Sequence, residues 1–168
     1  GAEKFVITES SQNGESTTVT IIATDYAGNQ TVVTDRVFVD RDAPKALIQG
    51  VEDYTITSKP VQVSYLAEEE NVIQTVRANI LKEDIDGKKE ETEITEWKTK
   101  SRNESGDTKK ESVQTLAEDG LYKLRMNVTD MAGNVSHAER QLIIDKENPV
   151  IAHVDELDGK YLKKFSWN

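Results

Sequence analysis

Two stretches of this sequence carry the same chemistry-bearing residues at the same spacing. Asp25, Gly28 and Asn29 stand in "TDYAGN", and Asp130, Gly133 and Asn134 stand in "TDMAGN". An aspartate followed four residues later by an asparagine puts a carboxylate and a side-chain amide into one short turn. The carboxylate can accept backbone N–H groups and close that turn. It can also join other hard oxygen atoms around Ca²⁺. The sequence supplies partners for the second use in "DRDAP", where Asp40 and Asp42 precede Pro44. Asp40, Asp42, Asp130 and Asn134 are therefore the candidate calcium ligands, for a structural ion that would screen carboxylate repulsion at a junction. The plainer reading makes Asp130 a turn cap and leaves Asp40 and Asp42 as solvated linker residues, and it is the preferred one.

Other chemistry finds little support. The chain has no cysteine and only two histidines, His137 and His153, in unrelated contexts. No nucleophile elbow, His-Glu-x-x-His helix or phosphate loop is present. Acidic residues are so many, 31 against 21 basic ones, that any nominated pair of catalytic carboxylates would be arbitrary. The chain is read as non-enzymatic, with no cofactor beyond the candidate calcium. A net charge of −10 argues against nucleic acid as a partner. No apolar run approaches the roughly 18 residues of a spanning helix, so no membrane insertion is expected in this segment. Tyr26, Tyr54, Trp97 and Trp167 could form a platform for sugar rings. Tyr26, at a turn tip, is the best exposed of them, whereas Trp97 ends an alternating strand and is expected in the core.

The elements that must position these residues show through the periodicity. In "YKLRMNV", Tyr122, Leu124, Met126 and Val128 fall on one face and Lys123, Arg125 and Asn127 on the other, the pattern of a half-buried antiparallel strand. Val19, Ile21 and Ala23 repeat that register ahead of the first motif. Strands are also expected over Val61–Ala67, Val72–Leu81, Glu91–Trp97 and Ser112–Leu116. Lys98–Ser112 reads as a polar loop, and a short helical turn around Glu68–Val72 stays open. Seven or eight strands result from Lys45 onward. Each Thr-Asp-x-Ala-Gly-Asn then sits between two strands as a hairpin turn, with Gly28 and Gly133 in the left-handed conformation that glycine adopts without a Cβ clash.

Aligning Asp25 with Asp130 gives an offset of 130 − 25 = 105 residues, and "VFVDRDAP" then overlies "LIIDKENP". A period of that length suits one β-sandwich domain and is too long for a solenoid. The expected organisation is the C-terminal part of a domain over 1–40, a complete domain over 41–145 and the start of another over 146–168, a window on a tandem array. "EDGLY" places Tyr122 where Greek-key sandwiches carry a tyrosine corner; the first copy has Thr17 there.

Asp-Gly-x-Tyr, then Thr-Asp-x-Ala-Gly-Asn, then Asp-x-x-x-Pro resembles the bacterial immunoglobulin-like repeats of long surface proteins and adhesins. The resemblance implies an all-β, antiparallel Greek-key sandwich in tandem and a stalk or adhesion role outside the cell or on its surface. It further implies neighbouring Ig-like domains of the same chain as partners, together with a host or cell-wall protein or glycan. The alternative is a carbohydrate- or protein-binding accessory module attached to an extracellular glycan-active enzyme.

Overall fold

A computed structural model describes residues 12–149. Eleven strands are found among them and no helix. A hairpin of β1 (Ser16–Thr24) and β2 (Gln30–Phe38) precedes the linker 39–44. The strands that follow are β3 (Lys45–Gln49), β4 (Thr55–Thr57), β5 (Val61–Glu68), β6 (Ile73–Glu83) and β7 (Lys89–Ile94), then β8 (Lys98–Arg102), β9 (Asp107–Leu116), β10 (Gly120–Asp130) and β11 (Val135–Ile144).

β3 to β11 form two sheets, ordered β4-β11-β10-β6-β7 and β3-β5-β9-β8. Chain neighbours pair within a sheet only at β6-β7, β8-β9 and β10-β11, and the remaining connections cross between sheets, giving an immunoglobulin-like sandwich. The alternation of β10 drives this packing: Tyr122, Leu124, Met126 and Val128 are buried, and they meet Val63, Tyr65 and Ala67 of β5 and Leu142 and Ile144 of β11 in one core. Gly50 permits the close return after β3, since its φ is +90° and a Cβ there would lie 2.2 Å from the Gln62 carbonyl oxygen.

Three expectations are corrected. Nine strands follow Lys45, because Lys98–Ser112 is not a loop but β8, a turn and the first half of β9. This hairpin has no hydrophobic alternation to betray it; its charged side chains pair across the edge, Lys100 with Glu111 at 2.6 Å and Arg102 with Asp107 at 3.1 Å. The residues from Glu68 to Val72 make no helical turn; they end β5 and bend into β6. The sandwich is also not wholly antiparallel, since β4 runs parallel to β11, pairing Thr55 with Leu142 and Thr57 with Ile144.

The β1-β2 hairpin has the register of β10-β11. Its nine pairs, Ser16 with Phe38 through Thr24 with Gln30, fall at +105 on Leu121 with Ile143 through Thr129 with Val135. Thr17, Val19 and Ile21 are half-buried where their counterparts in β10 are buried.

Candidate functional site at the linker

Each Thr-Asp-x-Ala-Gly-Asn is a closed hairpin turn. Asp25 N–H donates to the Asn29 carbonyl at 3.0 Å, and Gly28 N–H donates to the Asp25 carbonyl at 3.1 Å. The equivalent bonds of Asp130 with Asn134 and Gly133 measure 3.1 and 3.3 Å. Gly28 and Gly133 have φ of +89° and +93° with open space around a would-be Cβ, so backbone conformation rather than crowding selects glycine. The carboxylates reinforce the loop. Asp25 accepts the N–H groups of Ala27 and Asn29 at 2.8 and 2.9 Å on Oδ1, and the Asn29 amide at 2.8 Å on Oδ2. Asp130 accepts Asn134 N–H at 2.8 Å and the Asn134 amide at 2.9 Å.

The two turns differ in environment. Asp25 is exposed, and the Asn29 side chain, followed by backbone N–H groups, holds its carboxyl below the usual range. Asp130 is 1% exposed, and the Asn134 amide makes a second bond, at 3.2 Å to the carbonyl oxygen of Asp40 in the linker. Asn71 reaches the same residue from the β5-β6 connection, donating to Asp40 Oδ2 at 2.7 Å, while Asp40 Oδ1 accepts Asp42 N–H at 3.0 Å. From the other side, Asn13 accepts Arg41 N–H at 2.6 Å and donates to Asp42 Oδ2 at 2.7 Å. Three asparagine side chains thus clasp residues 40–42. Asn71 is itself held: its carbonyl accepts the Asn103 amide at 2.7 Å.

Of the four candidate calcium ligands, the structure brings Asp40, Asn134 and Asp130 into one hydrogen-bonded chain and ties Asp42 to Asn13. The groups aimed at these carboxylates are N–H donors, which repel a cation. Among the described residues no group of three or more His, Cys, Asp or Glu side chains is placed to hold a metal ion. The arrangement fits a joint closed by amides and does not fit a calcium cage. A cleft of about 370 Å³ beside it is lined by Asp40, Asp42, Lys45, Glu68, Glu69 and Glu70 among others. Burial raises the Glu69 carboxyl, and the charges of Asp40 and Asp130 push the same way.

The linker geometry recurs at +105. Asp145 Oδ1 accepts Glu147 N–H at 3.0 Å, as Asp40 accepts Asp42 N–H. Asp119, preceding Gly120 as Asn13 precedes Gly14, faces Lys146 at 3.6 Å, the counterpart of Arg41. Asn13 and Asn71 escaped sequence reasoning. The one available signal was that Asn13-Gly14 and Asp119-Gly120 align only with a slip of one residue against the 105-residue period.

Tyr122 Oη donates to the Glu118 carbonyl at 2.8 Å from a side chain 3% exposed, and burial raises its phenol pKa. Trp97 packs against the core and donates to the Ile94 carbonyl at 3.2 Å, so it lends no face to a sugar platform. Tyr26 and Tyr54 are exposed, as is His137. Trp167 and His153 lie outside the described residues.

Residues 66–146, from β5 to just past β11, match the family model of the bacterial Ig-like domain. The sandwich is a bacterial Ig-like domain. Domains of this family are typically found in extracellular or surface proteins and are generally non-catalytic modules. No curated protein matches the chain.

Proposed function

We propose that the chain is a spacer or adhesion segment of a bacterial surface or secreted protein, built from Ig-like units in tandem and stiff at its joints. The units are 1–40, 41–145 and 146–168, and none is catalytic. The observation that carries the reading is the clasp on residues 40–42, in which Asn13 holds Arg41 and Asp42 from one side and Asn71 and Asn134 hold Asp40 from the other. A linker serving only as a tether has no use for such bonds; a spacer that must hold its length does. The identical register of β1-β2 and β10-β11 and the recurrence of the Asp40 turn at Asp145 support the tandem reading.

¹⁵N relaxation on the whole chain tests it. One rotational correlation time for the β1-β2 hairpin and the Ig-like domain is expected, and Asn13→Ala with Asn71→Ala should separate the two. A hairpin that already tumbles independently in the unaltered chain overturns the stiff-joint reading.

A further inference from the structure

The outer face of the five-stranded sheet holds a polar cleft away from the linker. Its volume is about 570 Å³, and Arg77 and Asn79 of β6, Glu91 and Glu93 of β7, and Arg125 and Asn127 of β10 line it. Cross-strand register sets these side chains in rows: Asn127 opposite Arg77, and Arg125 opposite Asn79, which is itself opposite Glu93. Rows on one face lie about 7 Å apart along a strand, and neighbouring strands about 4.8 Å apart.

Two members are committed and four have capacity to spare. Arg125 is bound to Glu139 at 3.0 Å, and Glu91 accepts the Asn79 amide N–H₂. That bond fixes the amide orientation, because the flipped amide would set oxygen against a carboxylate. Asn79 Oδ1 is thereby left buried and without a hydrogen-bond partner, which is costly unless something fills it. Arg77, Glu93 and Asn127 make no side-chain hydrogen bond or ion pair among the described residues. The platform under them is rigid: Tyr65, fully buried, donates from Oη to the Asn79 carbonyl at 3.3 Å.

We infer that this cleft binds a saccharide. A sugar hydroxyl both gives and accepts a hydrogen bond, and adjacent hydroxyls need donors and acceptors interleaved. Arg77 supplies donors, Glu93 and Asn79 Oδ1 supply acceptors, and Asn127 supplies both. A phosphate or carboxylate ligand wants donors alone and meets Glu91 and Glu93. An added peptide strand wants free backbone groups, and β6 and β10 are each paired on both sides. No aromatic ring lines the cleft, so single-site affinity is weak, with a Kd on the order of 1 mM. The inference stands apart from the spacer reading, which survives if no sugar binds.

The test is a ¹⁵N–¹H titration of the whole chain with three neutral sugars, chitotetraose, cellotetraose and mannotetraose, each to about 10 mM, enough to fill most of a millimolar site. At least one should shift the Asn79 and Asn127 side-chain amides together with backbone amides of β6 and β10. Arg77→Ala and Asn127→Ala, both at exposed positions, should weaken that response about tenfold while the spectrum reports an intact fold, and Tyr26→Ala should leave it unchanged. Failure of all three sugars to move these resonances, shifts gathered around Tyr26 instead, or an equal response to a tetraglutamate peptide would each overturn the assignment.

Discussion

Replacing Asn134 with alanine should cost far more than the same change at Asn29, although the two asparagines occupy equivalent places in one motif. Asn134 donates to the carboxylate of Asp130, which is 1% exposed, and to the Asp40 carbonyl, at 2.9 and 3.2 Å. The variant keeps the backbone bond from residue 134 to Asp130 Oδ1 but strips Oδ2 of its donor. Losing a hydrogen bond to a buried charge costs about 1.5–3 kcal/mol, and the bond to Asp40 adds up to about 1. Asn134 is half-buried, so water repairs part of the loss, and a net cost of roughly 2 kcal/mol follows. For a domain of this size that lowers Tm by roughly 10 °C. Asn29 donates only to Asp25, which water solvates freely, and its loss should stay below about 0.5 kcal/mol. Thermal unfolding of both variants by circular dichroism decides. Equal shifts, or an Asn134→Ala shift below about 2 °C, would refute the claim that the buried carboxylate and the linker make the second turn different.

Tyr122→Phe removes the Oη bond and leaves the Glu118 carbonyl to find water, so a loss of about 1 kcal/mol in urea unfolding at unchanged m-value is expected. Stability should fall on acidification: Lys109, Lys100, Lys82 and Lys123 hold the carboxyls of Glu68, Glu111, Glu118 and Glu139 below their ordinary values. A depressed folded-state pKa stabilises above the unfolded value near 4.3 and is lost as pH drops through the folded one. Tm should therefore hold from about pH 7 to 5 and decline below about pH 4.5, partly offset by Glu69, whose shift runs the other way. Calcium and chelator should leave Tm unmoved, because amide N–H groups occupy the approaches to Asp40, Asp42 and Asp130; a rise with calcium would show that these amides give way.

What could be read from the sequence followed what periodicity records. β10 was legible because half its residues face a core and half face water, and the 105-residue offset was legible because turn chemistry at Asp25 and Asp130 tolerates few residues. β8 and the start of β9 were not, because β8 is exposed throughout and the first half of β9 is uniformly half-buried with charged side chains that pair as Lys100 does with Glu111, so no buried face imposes a period of two. The parallel pairing of β4 left no trace either: three residues are too few to show direction. At the site, sequence named carboxylates, and the structure turns on amides. Asn13 and Asn71 have no motif, since their partners are 28 and 31 residues away along the chain.

The protein contains its own control for what the repeated motif does. A third hairpin turn, Asp84 to Lys88, shares the backbone of the other two: Asp84 N–H donates to the Lys88 carbonyl and Gly87 N–H to the Asp84 carbonyl, both at 3.0 Å. Asp84 Oδ1 likewise accepts Asp86 and Lys88 N–H at 3.0 and 2.8 Å, and Gly87 has φ of +79°. The turn therefore requires aspartate, then glycine three residues on, and tolerates lysine at the last position. Asparagine there adds a side-chain bond to the aspartate at Asn29 and Asn134, and at Asn134 alone the same amide goes on to a linker carbonyl. A hairpin explains Asp25, Gly28, Asp130 and Gly133; it does not explain the asparagine. The asparagine belongs to the end of the domain where the chain enters, and under the proposed tandem organisation its recurrence at Asn29 would mark the same end of a preceding unit.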